Sequence, residues 1–221
     1  MNALDVRQLH KAFGDIVAVD ELSFAIDGVG VTGFIGHNGS GKSTTMNLIM
    51  GLLQPTSGEV RVFGDVVDVR RSGQRKRVGY LPQQTHLLPW MTAREVLLHV
   101  GELCGVAAAQ RKSSAASLLE RVGLPVDAHD RRVGGFSGGM RQRLGLAQAL
   151  MGDPELLLLD EPVSALDPQG RRDVLELLEE LGQSVPVLMS SHILDDVERI
   201  SRQLVGLHRG RLVLRGDTRD I

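Results

Sequence analysis

The stretch "GFIGHNGSGKSTTMNLIMG" at 33–51 sets glycines at 33, 36, 39 and 41 around one lysine and then turns apolar. Glycine reaches backbone conformations that side chains forbid, so such a loop can wrap closely around an anion. The first turn of a following helix adds unpaired N–H groups and the positive end of a dipole. Gly36-His37-Asn38-Gly39-Ser40-Gly41-Lys42-Ser43 meets every fixed position of Gly-x-x-x-x-Gly-Lys-[Ser/Thr], the phosphate-binding P-loop. Short patterns also recur by chance, and here the flanks decide. Val31-Thr32-Gly33-Phe34-Ile35 reads as a buried strand entering the loop, and Thr44-Thr45-Met46-Asn47-Leu48-Ile49-Met50 as a helix leaving it. Strand, loop and helix in that order predict a nucleotide site, with Gly36, Asn38, Gly39, Ser40, Gly41, Lys42, Ser43 and Thr44 around the phosphates. The loop alone does not say which phosphate chemistry follows.

The 221 residues make one large domain or two small ones, enough for a sizeable core. With 25 Lys and Arg against 27 Asp and Glu, and no block of five like charges, the chain lacks the basic stripe of a nucleic-acid binder. No nucleic-acid partner is expected, although a local basic patch stays open. The single cysteine, Cys104, has no internal disulfide partner and suits a reducing compartment; as a residue it reads as a small apolar filler in a helix. No segment approaches the roughly 18 apolar residues of a membrane span, and the N-terminus has no apolar signal core. The expectation is a soluble, cytosolic chain that would need another chain to cross a membrane.

Residues 3–27 alternate as two antiparallel strands around Phe13-Gly14-Asp15. Strand-like runs follow at 59–64 and 77–82. From about residue 88 the period becomes helical: Thr92 and Glu95 form a capping box, one helix ends near Gly105, and a second covers about 110–122 before Gly123. The α/β pattern returns with Glu155-Leu156-Leu157-Leu158-Leu159-Asp160, a continuous apolar run as a doubly covered parallel strand requires. A helix from Pro168 sets Val174, Leu177, Leu178 and Leu181 on one face, 186–190 is another buried strand, and a hairpin turns at Arg209-Gly210. Asp217-Thr218 looks like the start of a further helix, which leaves open whether a tail follows Ile221. The predicted fold is α/β: one domain over 1–221, with a mostly parallel P-loop core at 1–87 and 151–221, an antiparallel β subdomain within it, and an inserted α-helical subdomain at 88–150.

Two carboxylates, Asp160 and Glu161, fall just past the end of that apolar strand, where ligands of open α/β sheets bind. Asp160 is placed to hold Mg²⁺ with Ser43 as a second ligand, and Glu161 to polarise a water at the γ-phosphate. Two solvated acids in a turn are the alternative; the P-loop upstream favours the metal. In Phe136-Ser137-Gly138-Gly139-Met140-Arg141-Gln142-Arg143, Ser137 can cap a helix running to about 151, which makes a second anion-binding helix start in one chain. An ordinary glycine-rich helix start is the competing reading.

Along essentially its whole length the sequence resembles the nucleotide-binding subunits of ATP-binding cassette (ABC) transporters. Residues 136–140 are similar to the family signature Leu-Ser-Gly-Gly-Gln, with Phe136 and Met140 as departures. The order of P-loop, Leu81-Pro82-Gln83, signature, acidic strand end, Ser164-Ala165-Leu166-Asp167 and Ser190-Ser191-His192 is the family's order. Val163 stands where the family usually has Thr. The resemblance implies an Mg-dependent ATPase in which Phe13 stacks on adenine and Lys42 and the P-loop hold the phosphates. It further implies that Gln83 touches Mg²⁺ or the attacking water, with Gln84 the competing choice, and that Glu161 and His192 hold the water in line. A core Phe13, a structural His192 and a merely capping Asp167 remain open. In the family Ser137, Gly138 and Gly139 close over a nucleotide, and the segment with Asp167 crosses a dimer interface. The implied partners are a separate transmembrane permease subunit and a second cassette, identical or not, in the ATP-bound state. The implied place is the cytoplasmic face of the membrane.

A soluble non-transport cassette is the alternative; such proteins usually carry two cassettes or long coiled-coil insertions, and neither is present. A GTPase would be expected to show Asn-Lys-x-Asp, which is absent. The stretch from Ser191 to Glu198 and Gly145-Leu146-Ala147-Gln148-Ala149-Leu150 resemble exporter-type cassettes, so export is expected. The sequence does not name the cargo. The only tryptophan, Trp90, falls in His86-Leu87-Leu88-Pro89-Trp90-Met91 where the two lobes join; this stretch is expected to receive a short helix of the membrane subunit, against the alternative of a core Trp.

Overall fold

Every residue of the strand Leu156–Asp160 is buried, and its leucines alternate between two apolar cores: Leu156 and Leu158 face one, Leu157 and Leu159 the other. A parallel strand covered on both faces reads this way, and it marks the middle of the molecule. The computed structural model describes residues 2–71 and 73–218. In chain order the elements are β1 (Leu4–Phe13), β2 (Ile16–Ile26), β3 (Gly30–Ile35), α1 (Lys42–Ile49), β4 (Ser57–Val62), β5 (Asp65–Val66), β6 (Val78–Leu81), α2 (Ala93–Leu103), α3 (Ala108–Arg121), α4 (Gly138–Leu150), β7 (Leu156–Asp160), α5 (Pro168–Gly182), β8 (Pro186–Ser191), α6 (Leu194–Ile200), β9 (Gln203–His208) and β10 (Arg211–Asp217).

The main sheet runs β10-β9-β3-β8-β7-β6, parallel from β9 to β6, with β10 antiparallel on its edge. A second sheet, β2-β1-β4-β5, is antiparallel throughout. Between the sheets, Met46, Leu48 and Ile49 of α1 share a core with Leu4, Leu22 and Phe24. On the far face of the main sheet Val174, Leu177, Leu178 and Leu181 of α5 are buried together with Val187 and Met189, as the helical spacing predicts. The same core continues through Leu144 and Ala147 of α4 into Leu97 and Leu119 of α2 and α3. The helical segment is therefore seated on the sheet by α4. Its first helix opens with the expected capping box: Glu95 N–H donates to Thr92 Oγ1 at 3.2 Å, and Thr92 N–H to Glu95 Oε2 at 2.8 Å. The α/β fold, its antiparallel layer and its helical insertion match the expectation.

One local expectation fails: Cys104, read as a small apolar filler in a helix, is exposed at the C-cap of α2. Asp217 ends β10 opposite Gln203, and the helix expected from Asp217-Thr218 would run on into residues 219–221, outside the described residues. Thr218 is then fixed by its N–H to Arg202 O at 3.0 Å and its hydroxyl to Ser201 O at 2.7 Å. Any tail after Ile221 lies outside the described residues. Among those, no helix is long and apolar enough to cross a membrane.

Candidate functional site

Sheet register assembles the site. Phe34 of β3 pairs with Ser190 of β8, Ser190 with Asp160 of β7, and Leu159 with Leu81 of β6. The carboxyl ends of four neighbouring strands thus form one row. The P-loop, His192, Glu161 and Gln83 all leave the sheet at that edge, where open α/β sheets bind ligands. A cavity of about 290 Å³ lies there, lined on one side by residues 38–44 and on the other by Gln83, Asp160 and Glu161, with Ala18 at its wall; Gly36 and His192 are outside that lining. Ligand pockets span about 300–1,000 Å³, so this volume suits the phosphate end of a nucleotide rather than the whole.

The loop is rigid for stated reasons. Gly41 stands at the N-cap of α1 with φ of 106°, and a Cβ there would lie 2.5 Å from Ala18 O. No side chain caps the helix, so its first amides keep their donors for an anion. Gly210, at the tip of the β9–β10 hairpin, donates its N–H to Ser40 O at 2.9 Å and accepts from Asp20 N–H at 2.9 Å. Lys42 Nζ reaches back across the loop to Gly36 O at 2.6 Å and His37 O at 3.3 Å. Burial lowers the Lys42 pKa, against the opposing pull of Glu161 and Asp160. Ser40 Oγ is buried with no hydrogen-bond partner among the described residues. An ammonium, free amides and an unpaired hydroxyl in one cradle fit a polyphosphate.

The acidic side is built around Ser190. Its hydroxyl donates to Asp160 Oδ1 at 2.5 Å and accepts from Glu161 N–H at 2.9 Å. His192 Nδ1 lies 2.9 and 3.0 Å from the two Glu161 carboxylate oxygens. A carboxylate only accepts, so Nδ1 is the donor in this pair. Gln83 lines the cavity, and Gln84 is not among its lining residues. Ser43, Asp160 and Gln83 supply hydroxyl, carboxylate and amide oxygens, a hard donor set that fits Mg²⁺.

Other expected residues lie elsewhere. Ser137, Gly138 and Gly139 are not in this cavity. They start α4, where Ser137 Oγ accepts from Met140 N–H at 3.2 Å and the glycines face Ala165 and Leu166. Phe13 also lies outside the cavity lining, 48% exposed at the end of β1 with Lys11 Nζ 4.8 Å from its ring; the core reading is excluded. Asp167 caps α5, accepting from Gly170 N–H at 3.2 Å. Trp90 is 65% exposed, so it is no core residue. With Met91, Leu98, His99 and Arg111 it lines a surface depression of about 750 Å³. Ala18 and Ser190 had no role in the sequence reading. Ser190 left a faint signal, a polar residue closing an apolar strand; Ala18 left none.

The family model described as ABC transporter matches residues 19–164, about two thirds of the chain. The chain belongs to the ABC transporter family. The cassette is 41% identical over 218 residues to the uncharacterized ABC transporter ATP-binding protein YxlF of Bacillus subtilis (strain 168), covering 99% of this chain and 72% of that one. It is 38% identical over 214 residues to the Nod factor export ATP-binding protein I of Burkholderia lata, covering 96% of this chain and 70% of the relative. Among solved structures, the dimeric structure of MJ0796, a bacterial ABC transporter cassette, superposes with a TM-score of 0.91 at 25% identity, covering 97% of this chain and 98% of that one. A nucleotide-free cassette from an ABC transporter gives 0.84 at 27% identity, covering 98% and 92%.

Proposed function

We propose that this cassette hydrolyses ATP with Mg²⁺ and drives export through a separate transmembrane permease at the cytoplasmic face of a membrane. The observation that carries the reading is the Glu161 carboxylate, buried at the cavity wall and held by His192 at 2.9 Å opposite Lys42. Lys42 and the loop amides hold the β- and γ-phosphates. Ser43, Asp160 and Gln83 hold the cation, which when bound offsets the charge building on the transferred phosphoryl group. Glu161 takes a proton from a water as the water oxygen bonds to the γ-phosphorus. The bond from phosphorus to the bridging oxygen breaks, and ADP leaves with that electron pair. His192 Nδ1–H keeps the carboxylate aimed. Phe13 stacks on adenine from the exposed end of β1.

Ser137, Gly138 and Gly139 act on a second copy. They lie outside the cavity of their own chain, and a head-to-tail pair would bring each trio over the partner's Lys42. A two-fold pair then holds two such sites. The working division is a core of 1–87 and 151–221 with the helical part at 88–150. Export is supported by the relatives named for export. The test is phosphate release by the purified chain with and without Mg²⁺, beside Glu161→Gln. The variant should still bind ATP and should lose about 10²–10⁴ in rate; more than half of wild-type turnover removes Glu161 from this role.

A further inference from the structure

Glu161 is held in a backbone conformation that its side chain disfavours. Its φ of +53° lies in the left-handed region, which a non-glycine residue keeps only when its surroundings over-determine it. The holders are countable. Its N–H donates to Ser190 Oγ at 2.9 Å, and its carbonyl accepts from Ser164 Oγ at 3.1 Å, from Ser164 N–H at 3.3 Å and from Gln142 Nε2 at 3.1 Å. Ser190 belongs to the neighbouring strand and Ser164 to the turn that follows Glu161. Gln142 is different in kind. It is a buried polar side chain, 5% exposed, that comes from α4 in the helical segment.

That helix has no slack where it meets the core. A Cβ at Gly145 would lie 2.4 Å from Thr85 Cγ2 and 2.7 Å from Leu81 Cδ1, so α4 is pressed against the segment that carries Gln83. Five residues before Gln142, at the start of the same helix, stands Ser137. Resting on the hydrolytic role of Glu161 given above, we propose that Gln142 is a positioning residue: its hydrogen bond to the Glu161 carbonyl makes the aim of the carboxylate depend on the seating of α4. It touches neither nucleotide nor water. It acts by fixing the backbone from which the base projects.

The test uses the full chain and the volume-matched change Gln142→Met, which removes the donor and keeps the packing. Losing one buried hydrogen bond, with Ser164 still donating to the carbonyl, should lower kcat about three- to tenfold, while the Kd of a fluorescent ATP analogue stays within about twofold of wild type. In the Glu161→Gln background the same change should add less than about twofold, because both act through one group. Three results overturn the proposal: kcat within about twofold of wild type, a full second loss on top of Glu161→Gln, or loss of folding or nucleotide binding, which would make Gln142 a packing residue. The two readings fail differently. If Glu161→Gln itself leaves turnover intact, the hydrolytic role of Glu161 falls. If Glu161→Gln abolishes turnover and Gln142→Met does not lower it, only the positioning role falls.

Discussion

Replacing Ser190 by Ala removes one hydroxyl and strands two buried groups. Asp160 loses the donor at 2.5 Å, and the Glu161 N–H loses its acceptor at 2.9 Å. Neither has an easy substitute, since Ser190, Asp160 and Glu161 are 0%, 1% and 4% exposed. A hydrogen bond to a charged group contributes about 1.5–3 kcal/mol, and a buried amide left unpaired costs about 1–3 kcal/mol. The two losses share one site, so a total of about 3–4 kcal/mol is expected. For a chain of this length about 1 kcal/mol moves the melting point by about 2–4 °C, which puts the drop at about 6–16 °C. Ser191→Ala is the internal control. Ser191 is equally buried, but among the described residues its hydroxyl accepts only from Ile193 N–H, at 3.0 Å in the following turn, and its loss should cost about 1 kcal/mol. Urea melts of both variants measure the difference, and a Mg²⁺ titration of nucleotide binding shows whether Asp160 is still aimed. A Ser190→Ala protein within about 1 kcal/mol of wild type, or no less stable than Ser191→Ala, would refute the account of the row.

Trp90→Ala should weaken co-purification with the permease and leave basal ATP hydrolysis largely intact; loss of solubility or of basal activity would show that the exposed ring serves the cassette itself. Lys42→Ala and Ser137→Arg should each silence both sites of a homodimer, whereas an equal mixture should recover at most about a quarter of wild-type turnover, since half the dimers are mixed and one of their two sites pairs an intact Lys42 with an intact Ser137. No recovery of turnover and no single trapped ATP per dimer, with mixed dimers shown to form, would mean that the two helix starts do not meet across an interface.

What the sequence disclosed follows a physical line. The P-loop, the leucine run of β7 and the capping box of α2 are local patterns, in which chain neighbours are space neighbours, and all three were legible. The row that joins Phe34, Ser190 and Asp160 was not, because β3 pairs with β8 and β9 from the far end of the chain. Ser190 therefore read as one more residue of a buried strand. Gln142 sits in the signature stretch, and its partner lies 19 positions on, beyond the reach of a local pattern. Ala18 and Gly210 touch the P-loop through backbone atoms alone, which no residue type advertises. Cys104 shows the opposite error: residue-type preference for the interior says little at a helix end.

The placement of β3 also orders events during synthesis. Both strands that flank it, β8 and β9, lie at 186–208, about 150 residues after β3 ends. At about 5–20 residues per second the ribosome needs roughly 8–30 s to deliver them. Throughout that interval the strand that carries the phosphate loop has two open edges and an apolar sequence, and Ser40 still lacks the support of Gly210. The nascent chain can therefore finish its phosphate cradle only after residue 210 has been made. Ribosome-arrested chains that stop before residue 186 should be cut by protease at 31–35, whereas chains whose residue 210 has cleared the tunnel should resist; equal cutting of both would mean that the strand finds other cover.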